Sequence, residues 1–183
     1  MEADGSTRDP AAPLREAIRS IPDFPKEGIL FRDISPLLEN ADLFRITIDL
    51  LAAQCDGIAP AKVVGLDARG FIFGAALAYK LGLGFVPIRK KGKLPPRTIS
   101  HAYELEYGKA EFEIHCDSLF PGESVVVVDD LLATGGTAAA AAHLLDQLGA
   151  RVLRILFIVE LEALGGRAKL SPADVRSLIS YGD

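Results

Sequence analysis

The stretch VVVVDDLLATGGT, residues 125–137, decides the fold. Four consecutive valines are typical of a strand that is buried on both faces, as in a parallel sheet covered by helices. The turn that follows is rich in glycine and threonine, and residues 138–142 are five alanines, which favour a helix. We therefore predict a buried strand, a tight turn and a helix in direct succession.

The same alternation of strand and helix extends on both sides of this stretch. Runs of apolar and β-branched residues predict strands at 63–66, 85–88, 125–128 and 152–159. Helices are predicted over residues 70–81 and 137–148, and Gly149 ends the second of them. Together these elements predict an α/β fold with a doubly wound, mainly parallel central sheet flanked by helices.

The N-terminal part of the chain gives weaker signals. Residues 1–13 are small, polar and interrupted by proline, which is typical of a loose tail. Apolar residues at Leu14, Ile18 and Ile21 predict a short amphipathic helix that ends before Pro22. A second helix is predicted from about Asp42, its expected N-cap. Residues 14–183 are then expected to form a single domain.

Length and composition exclude several classes of protein. The 183 residues, 49% hydrophobic and 25% charged, predict one globular domain rather than a disordered chain. The formal net charge of -5 makes nucleic acid a poor partner. The longest apolar run has about five residues against the ~20 that span a bilayer, and residues 1–13 lack the apolar core of a secretory signal. The few cysteines and histidines have no metal-ligand spacing, and a cytoplasmic protein is expected.

The turn at residues 133–137 suits a phosphate group. Unpaired amides at a helix N-terminus, the helix dipole and the hydroxyls of Thr134 and Thr137 all favour a dianion. Gly135 and Gly136 let the backbone approach a ligand closely. No Lys-Ser or Lys-Thr pair follows the glycines, so the turn is not a Walker loop. The alternative is a surface loop in which Asp caps a helix and Gly forms a turn.

Charged residues beside this turn refine the hypothesis. Asp129 and Asp130 would repel a bare phosphate, but they suit a ligand that carries hydroxyl donors beside its phosphate, as ribose 5-phosphate does. A second strand-to-helix turn, residues 66–70, contains Arg69, whose planar guanidinium can grip a phosphate. An ordinary ion pair of Arg69 with Asp67 or another neighbour is the alternative. Together the two turns indicate a sugar with phosphates at both ends.

Residues 125–137 also resemble the phosphoribosyl-pyrophosphate motif of the type I phosphoribosyltransferases, in the form typical of members that act on adenine. Further matches follow in chain order: residues 24–34 resemble that family's N-terminal hood, 65–71 its pyrophosphate loop, and 88–95 with 105–108 its flexible catalytic flap. The resemblance covers about residues 14–181. It implies a small hood at about 14–40 and a β-hairpin flap at about 90–115.

The resemblance implies a reaction and a set of binding residues. The reaction transfers the 5-phosphoribosyl group from phosphoribosyl pyrophosphate to adenine in purine salvage, giving AMP and pyrophosphate, with Mg2+ held mainly by the substrate. The positions that bind the 5-phosphate in the family are Ala133, Thr134, Gly135, Gly136 and Thr137. Asp129 and Asp130 would bind the ribose hydroxyls. Asp67, Ala68 and Arg69 would bind pyrophosphate, with a cis peptide expected between Asp67 and Ala68, where family members often carry serine in place of Ala68.

The flap is implied to supply catalytic groups. Glu106 is expected to assist the removal or relocation of the adenine proton at the N7/N9 edge, while Tyr107 would close over the ligand or position a hydroxyl. Arg69 would stabilise the departing pyrophosphate. The alternation of glutamate with apolar residues on either side of residues 108–109 is equally typical of a plain two-stranded hairpin.

Basic residues stand at the start of the flap. Lys90, Lys91 and Lys93 would add positive charge near the phosphates, and a solvated basic loop is the alternative. In the family, the residue that matches Arg89 reaches the site of a neighbouring subunit, which implies a homodimer.

The hood is implied to recognise the base. The main chain of Leu30 and Arg32 would read the N6 donor and the N1 acceptor of adenine, and Phe31 would stack on the ring. Core packing is the alternative for Phe31. Transfer to another base is an alternative function, but enzymes for 6-oxopurines usually place a lysine after the last core strand, and residues 160–163 contain none. A regulator that binds phosphoribosyl pyrophosphate without turnover is a further alternative.

Overall fold

Strands and helices alternate along most of the chain in the computed structural model, which describes residues 9–104 and 109–182. In chain order the described elements are α1 (Ala12–Ala17), β1 (Arg19–Ile21), β2 (Phe31–Asp33), α2 (Ser35–Glu39), α3 (Ala41–Ala53), β3 (Lys62–Leu66), α4 (Gly70–Leu81), β4 (Gly84–Lys90), β5 (Thr98–Glu104), β6 (Lys109–His115), β7 (Ser124–Leu132), α5 (Gly136–Gln147), β8 (Arg151–Leu161), a 3₁₀ turn (Glu162–Leu164), α6 (Gly166–Lys169) and β9 (Val175–Tyr181). They fall into two units, Met1–Leu50 and Leu51–Asp183.

The larger unit is built on a seven-stranded sheet with the order β5-β6-β4-β3-β7-β8-β9. The strands from β4 to β9 in that order pair in parallel, and the β5–β6 hairpin extends the sheet at one edge with antiparallel pairing. Helices lie between β3 and β4, between β7 and β8 and between β8 and β9, which confirms the predicted doubly wound, mainly parallel α/β fold.

The predicted central strand is buried as its composition requires. The four valines of β7, residues 125–128, are at most 1% exposed. Ala138, Ala140 and Ala141 of α5 are also buried and belong to the same apolar cluster. Their small side chains let α5 lie close to the sheet, so the turn between β7 and α5 is held by a well-packed strand on one side and a well-packed helix on the other.

The smaller unit differs from prediction at its first helix. The helix expected to include Ile21 ends at Ala17, and Ile18 is already extended with φ -66° and ψ 123°. Residues Arg19–Ile21 form β1, which pairs antiparallel with β2, and Arg19 Nε donates to Asp33 Oδ2 at 2.9 Å. Pairing with a strand further along the chain therefore overrides the local helical pattern.

The second predicted helix is present with a different cap. Asn40, not Asp42, accepts hydrogen bonds at its side-chain oxygen from the amides of Asp42 (2.9 Å) and Leu43 (3.1 Å). Asparagine and aspartate are equally good at this position, so the pattern alone does not fix which one caps. No helix in the described parts of the chain has the length and apolar character needed to cross a bilayer.

Candidate active site

A cavity of ≈ 560 Å³ lies where β3, β4 and β7 end. Its lining residues are Asp67, Ala68, Arg69, Lys90, Tyr103, Ala110, residues 129–138 and Phe157. The carboxyl ends of parallel strands are where open α/β sheets bind ligands. Both turns singled out in the sequence open into this one cavity, hereafter the strand-end cavity.

The first of these is the β7–α5 turn, residues 133–137. Gly135 stands at the N-cap of α5 in the left-handed conformation, with φ +79°. No side chain caps this helix, so the first-turn amides of α5 are available as hydrogen-bond donors to a ligand. The turn therefore presents backbone donors and two threonine hydroxyls to the cavity, the arrangement expected for an anion.

Two buried carboxylates lie immediately before this turn. Asp129 and Asp130 are 8% and 6% exposed, and the amide of Asp130 donates to Asp129 Oδ1 at 3.0 Å. Asp130 Oδ2 is 2.7 Å from Arg69 Nε. Among the described residues, it is the one fully buried side-chain polar atom that accepts no hydrogen bond of good geometry. That atom is suited to accept a hydrogen bond from a ligand hydroxyl.

The electrostatics of the carboxylate pair favour ligands that bring donors or cations. Burial raises the pKa of Asp129 well above its ordinary value, and the neighbouring charge of Asp130 raises it further. Burial also raises the pKa of Asp130, although the guanidinium of Arg69 opposes this shift. Hydrogen-bond donors or positive charge from a ligand would stabilise the ionised pair.

The second turn leads from β3 into α4. The peptide bond between Asp67 and Ala68 is cis, as predicted. Arg69 does form an ion pair, as the simpler alternative held, but with Asp130 rather than Asp67. Its side chain is still 44% exposed, so the guanidinium remains open to a ligand in the cavity.

Glycine at position 70 lets the two turns meet. A Cβ built on Gly70 would lie 2.7 Å from the carbonyl oxygen of Val128 and 2.9 Å from Asp129 Oδ1. Both distances are shorter than normal contacts, so any side chain would push the start of α4 away from β7. This close approach brings Arg69 to Asp130.

The basic residues at the end of β4 and just beyond it take different positions. Lys90 lines the strand-end cavity, whereas the described lining does not include Lys93, whose amide donates to Glu113 Oε1 at 2.7 Å. Lys91 pairs with Glu111 at 2.8 Å on the hairpin. Arg89 Nε lies 3.3 Å from Asp67 Oδ2 of its own chain, and its expected reach into a neighbouring subunit remains a prediction.

The hairpin carries a cavity residue that sequence reasoning missed. Tyr103 of β5 lines the cavity, and its hydroxyl lies near that of Thr137. Burial raises the pKa of the Tyr103 phenol. An aromatic residue in a strand is common, and the sequence does not show that β5 lies beside α5. Only the fold therefore reveals this contact. The predicted catalytic residues Glu106 and Tyr107 lie outside the described residues.

The predicted base-recognition residues belong to the smaller unit. Leu30 is 39% exposed, and Phe31 is half-buried with its ring 5.1 Å from that of Phe24 in an edge-on arrangement. Arg32 is buried in β2, and its guanidinium donates to the Ser20 hydroxyl. Their role in reading adenine stays a prediction.

Metal ligands are not assembled by the described side chains alone. In residues 9–104 and 109–182, no three His, Cys, Asp or Glu side chains cluster as a metal site. Asp129 and Asp130 nevertheless offer hard oxygen atoms at the cavity, one of them without a hydrogen bond. Mg2+ commonly binds through one or two carboxylates together with substrate phosphates, so these residues fit that ion.

Comparison with known proteins agrees with this geometry. Residues 37–178, which include the described residues that line the strand-end cavity, match the phosphoribosyl transferase domain family. The protein is therefore a phosphoribosyltransferase by class. The adenine phosphoribosyltransferase of Carboxydothermus hydrogenoformans is 56% identical over 168 residues, 92% of this chain and 99% of the relative. That of Paracoccus denitrificans is 58% identical over 166 residues, 91% and 89% of the two chains. The chain belongs to the adenine phosphoribosyltransferase family.

Solved structures show the same likeness in three dimensions. The crystal structure of adenine phosphoribosyltransferase from Thermoanaerobacter pseudethanolicus matches with a TM-score of 0.89 and 51% identity, covering 92% of this chain and 98% of that one. The Saccharomyces cerevisiae enzyme, complexed with D-2,5-dideoxy-2,5-imino-altritol 1,6-bisphosphate and adenine, matches with a TM-score of 0.88 and 45% identity, over 92% and 98% of the two chains.

Proposed function

We propose that this enzyme transfers the 5-phosphoribosyl group of phosphoribosyl pyrophosphate to adenine, releasing pyrophosphate and forming AMP in purine salvage. It is thus a glycosyltransferase. The carrying observation is the convergence in one cavity of an uncapped helix N-terminus, two buried carboxylates and an arginine. The relatives are named for this activity, and the yeast relative is solved with adenine.

The two ends of the sugar substrate bind at the two turns. The β7–α5 turn holds the 5-phosphate with the first-turn amides of α5 and the hydroxyls of Thr134 and Thr137. Asp129 and Asp130 accept hydrogen bonds from the ribose hydroxyls, and this is supported by Asp130 Oδ2, which is ion-paired with Arg69 but accepts no hydrogen bond of good geometry. The pyrophosphate lies at the backbone of residues 67–68, beside Arg69.

Positive charge at the second turn assists departure of pyrophosphate. As the bond from the sugar to pyrophosphate breaks, negative charge grows on the leaving group, and Arg69 and Lys90 stabilise it from the cavity wall. Asp129 and Asp130 are the residues that would contact Mg2+ held mainly by the substrate, and the ion would supply further charge neutralisation. Arg69 can move from Asp130 to the leaving group because nearly half of its side chain is exposed.

The β5–β6 hairpin covers the reaction and supplies the proton acceptor. Tyr103 and Ala110, which precede and follow residues 105–108 in sequence, both line the cavity, and this supports a role for Glu106 and Tyr107 there. Glu106 accepts the adenine ring proton, and Tyr107 closes over the ligand. Excluding water protects the electron-poor sugar from hydrolysis.

Base recognition, assembly and location complete the proposal. The main chain of Leu30 and Arg32 reads the N6 and N1 edge, and Phe31 stacks on adenine. The enzyme acts as a homodimer in which Arg89 serves the neighbouring site, and sedimentation showing an active monomer would refute this part. It works in the cytoplasm, where Cys55 and Cys116, both free, stay reduced.

Initial rates test the reaction. The enzyme is assayed with Mg2+ and phosphoribosyl pyrophosphate while adenine, hypoxanthine, guanine and orotate are offered separately. AMP formation with adenine alone is expected. Turnover of a different base would overturn the assignment of the hood, and binding of phosphoribosyl pyrophosphate without any turnover would overturn the catalytic proposal.

A further inference from the structure

The back of the β7–α5 turn rests on another stretch of backbone. A Cβ built on Gly166 would overlap the carbonyl oxygen of Ala133 and lie 2.8 Å from the amide nitrogen of Gly135. A Cβ built on Gly135 would in turn overlap the carbonyl oxygen of Gly166. The two backbones are therefore in direct contact, and a side chain would not fit between them.

The residue after this contact is anchored by a buried carboxylate. Arg167 Nε donates to Glu160 Oε1 at 2.9 Å, and the Nη2 group donates to Glu160 Oε2. The Nη1 group donates to the carbonyl oxygen of Val175 at 2.6 Å, and the Ser177 hydroxyl donates to Glu160 Oε2 at 2.7 Å. Arginine and carboxylate thus form a two-point pair that fixes both orientation and distance.

This ion pair is placed behind the cavity rather than in it. Glu160, near the end of β8, is 4% exposed and lies beside Leu132 in the sheet register, one residue before Ala133. Neither Glu160 nor Arg167 lines the strand-end cavity. Hydrogen bonds from Arg167 lower the pKa of Glu160 despite its burial, so the carboxylate is ionised at neutral pH.

We infer that Glu160 and Arg167 are positioning residues for the reaction, holding the Gly166 backbone against the β7–α5 turn so that its amides face the 5-phosphate. This inference rests on the proposed function. A turn that binds phosphate mainly through backbone groups has little means of correcting a misplaced amide. Support from behind keeps those donors in place before the substrate arrives, which is the condition for strong electrostatic binding.

The test compares two arginines that each pair with a carboxylate. Arg167→Met removes the donors to Glu160, and Arg167→Lys keeps the charge without the two-point geometry. The matched control is Arg154→Met, because Arg154 of β8 also pairs with a carboxylate, Asp174 at 2.7 Å, and donates to the carbonyl of Gln54. That ion pair has no contact with the β7–α5 turn.

Two readouts separate positioning from simple destabilisation. For Arg167→Met we expect kcat/KM for phosphoribosyl pyrophosphate to fall about tenfold or more, and calorimetric Kd for ribose 5-phosphate to rise by a similar factor. The KM for adenine should change far less. In both kcat/KM for phosphoribosyl pyrophosphate and Kd for ribose 5-phosphate, Arg167→Lys should lie between the wild type and Arg167→Met. Arg154→Met should lower the melting temperature while leaving the Kd for ribose 5-phosphate unchanged.

Several results would overturn the inference. One is an Arg167 variant that melts earlier but binds ribose 5-phosphate as tightly as the wild type. Another is an equal loss of affinity in Arg154→Met, which would make the effect general. Arg167→Lys decides the matter if Arg167→Met does not fold. A wild-type enzyme that neither binds ribose 5-phosphate nor forms AMP would instead refute the proposed function, so the two failures are distinguishable.

Discussion

Replacing Gly70 by alanine is a direct test of the contact that brings the two turns of the strand-end cavity together. The added methyl group would lie 2.7 Å from the Val128 carbonyl oxygen, 2.9 Å from Asp129 Oδ1 and 3.2 Å from Asp129 Cα. Two of these atoms belong to the backbone of β7 and cannot move without shifting that strand. Overpacking of this kind costs about 1–3 kcal/mol, which outweighs the fraction of ~1 kcal/mol that alanine gains over glycine at a helix start.

The expected result is a loss of both stability and substrate affinity. In a protein of this size each kcal/mol lowers the melting temperature by roughly 2–4 °C, so Gly70→Ala should melt about 2–12 °C lower. Because the displaced groups include Asp129, the KM for phosphoribosyl pyrophosphate should rise as well. Thermal unfolding followed by circular dichroism, with initial rates at several substrate concentrations, measures both effects.

Gly84→Ala is the matched control. A Cβ at that position meets only the Lys62 side chain, at 3.6 Å or more, which is ordinary contact. Its melting temperature should stay within a few degrees of the wild type, with KM unchanged. If Gly70→Ala melts at or above the wild-type temperature with an unchanged KM, the close approach of α4 to β7 is absent and the reasoning is wrong.

Three further predictions follow from charged groups. Glu106→Gln should reduce kcat about 10²- to 10⁴-fold while phosphoribosyl pyrophosphate still binds, and unchanged turnover in steady-state assays would contradict its role as proton acceptor. Asp129→Asn should weaken binding of the ribose substrate. The same variant should gain stability relative to the wild type as pH rises above about 4. Burial raises the pKa of Asp129, so ionising this carboxyl destabilises the folded wild type, and asparagine does not ionise. Denaturant titrations at pH 4 and pH 7 measure the difference, and the opposite trend would contradict the reasoning. Hydrogen bonds from Ser35 lower the pKa of Asp33 to about 2, so Asp33→Asn should lose stability at pH 7 but approach the wild type as pH falls from about 4 towards 2, and a pH-independent difference would refute this.

Local sequence predicted those parts of the fold whose signals are continuous along the chain. The valines of β7 and the alanines of α5 specify a buried strand and a close-packed helix without reference to distant residues. The helix over residues 70–81 has the predicted bounds for the same reason. Because both turns lie between such elements, the sequence also predicted most of the residues that line the strand-end cavity.

Features that depend on distant partners were not predictable in this way. Strand β1 exists through its pairing with β2, whereas its one apolar residue, Ile21, continues the helical spacing of Leu14 and Ile18. The ion pair of Arg69 with Asp130 joins two turns that are far apart in sequence, and spacing gives no reason to prefer it over a pair with Asp67. The contact of Tyr103 with Thr137 similarly requires the hairpin to be laid beside α5.

Glu160 shows that one distant contact did leave a readable signal. Residues 160–163 contain no lysine, but they begin with a glutamate that directly follows the apolar run of β8. A carboxylate at the end of a strand that is buried on both faces costs free energy unless a cation and further hydrogen-bond donors contact it. The nearest arginine downstream, Arg167, supplies them. A charge that closes a buried apolar strand therefore predicts a nearby counterion, and here that counterion directly follows Gly166, whose backbone contacts the β7–α5 turn.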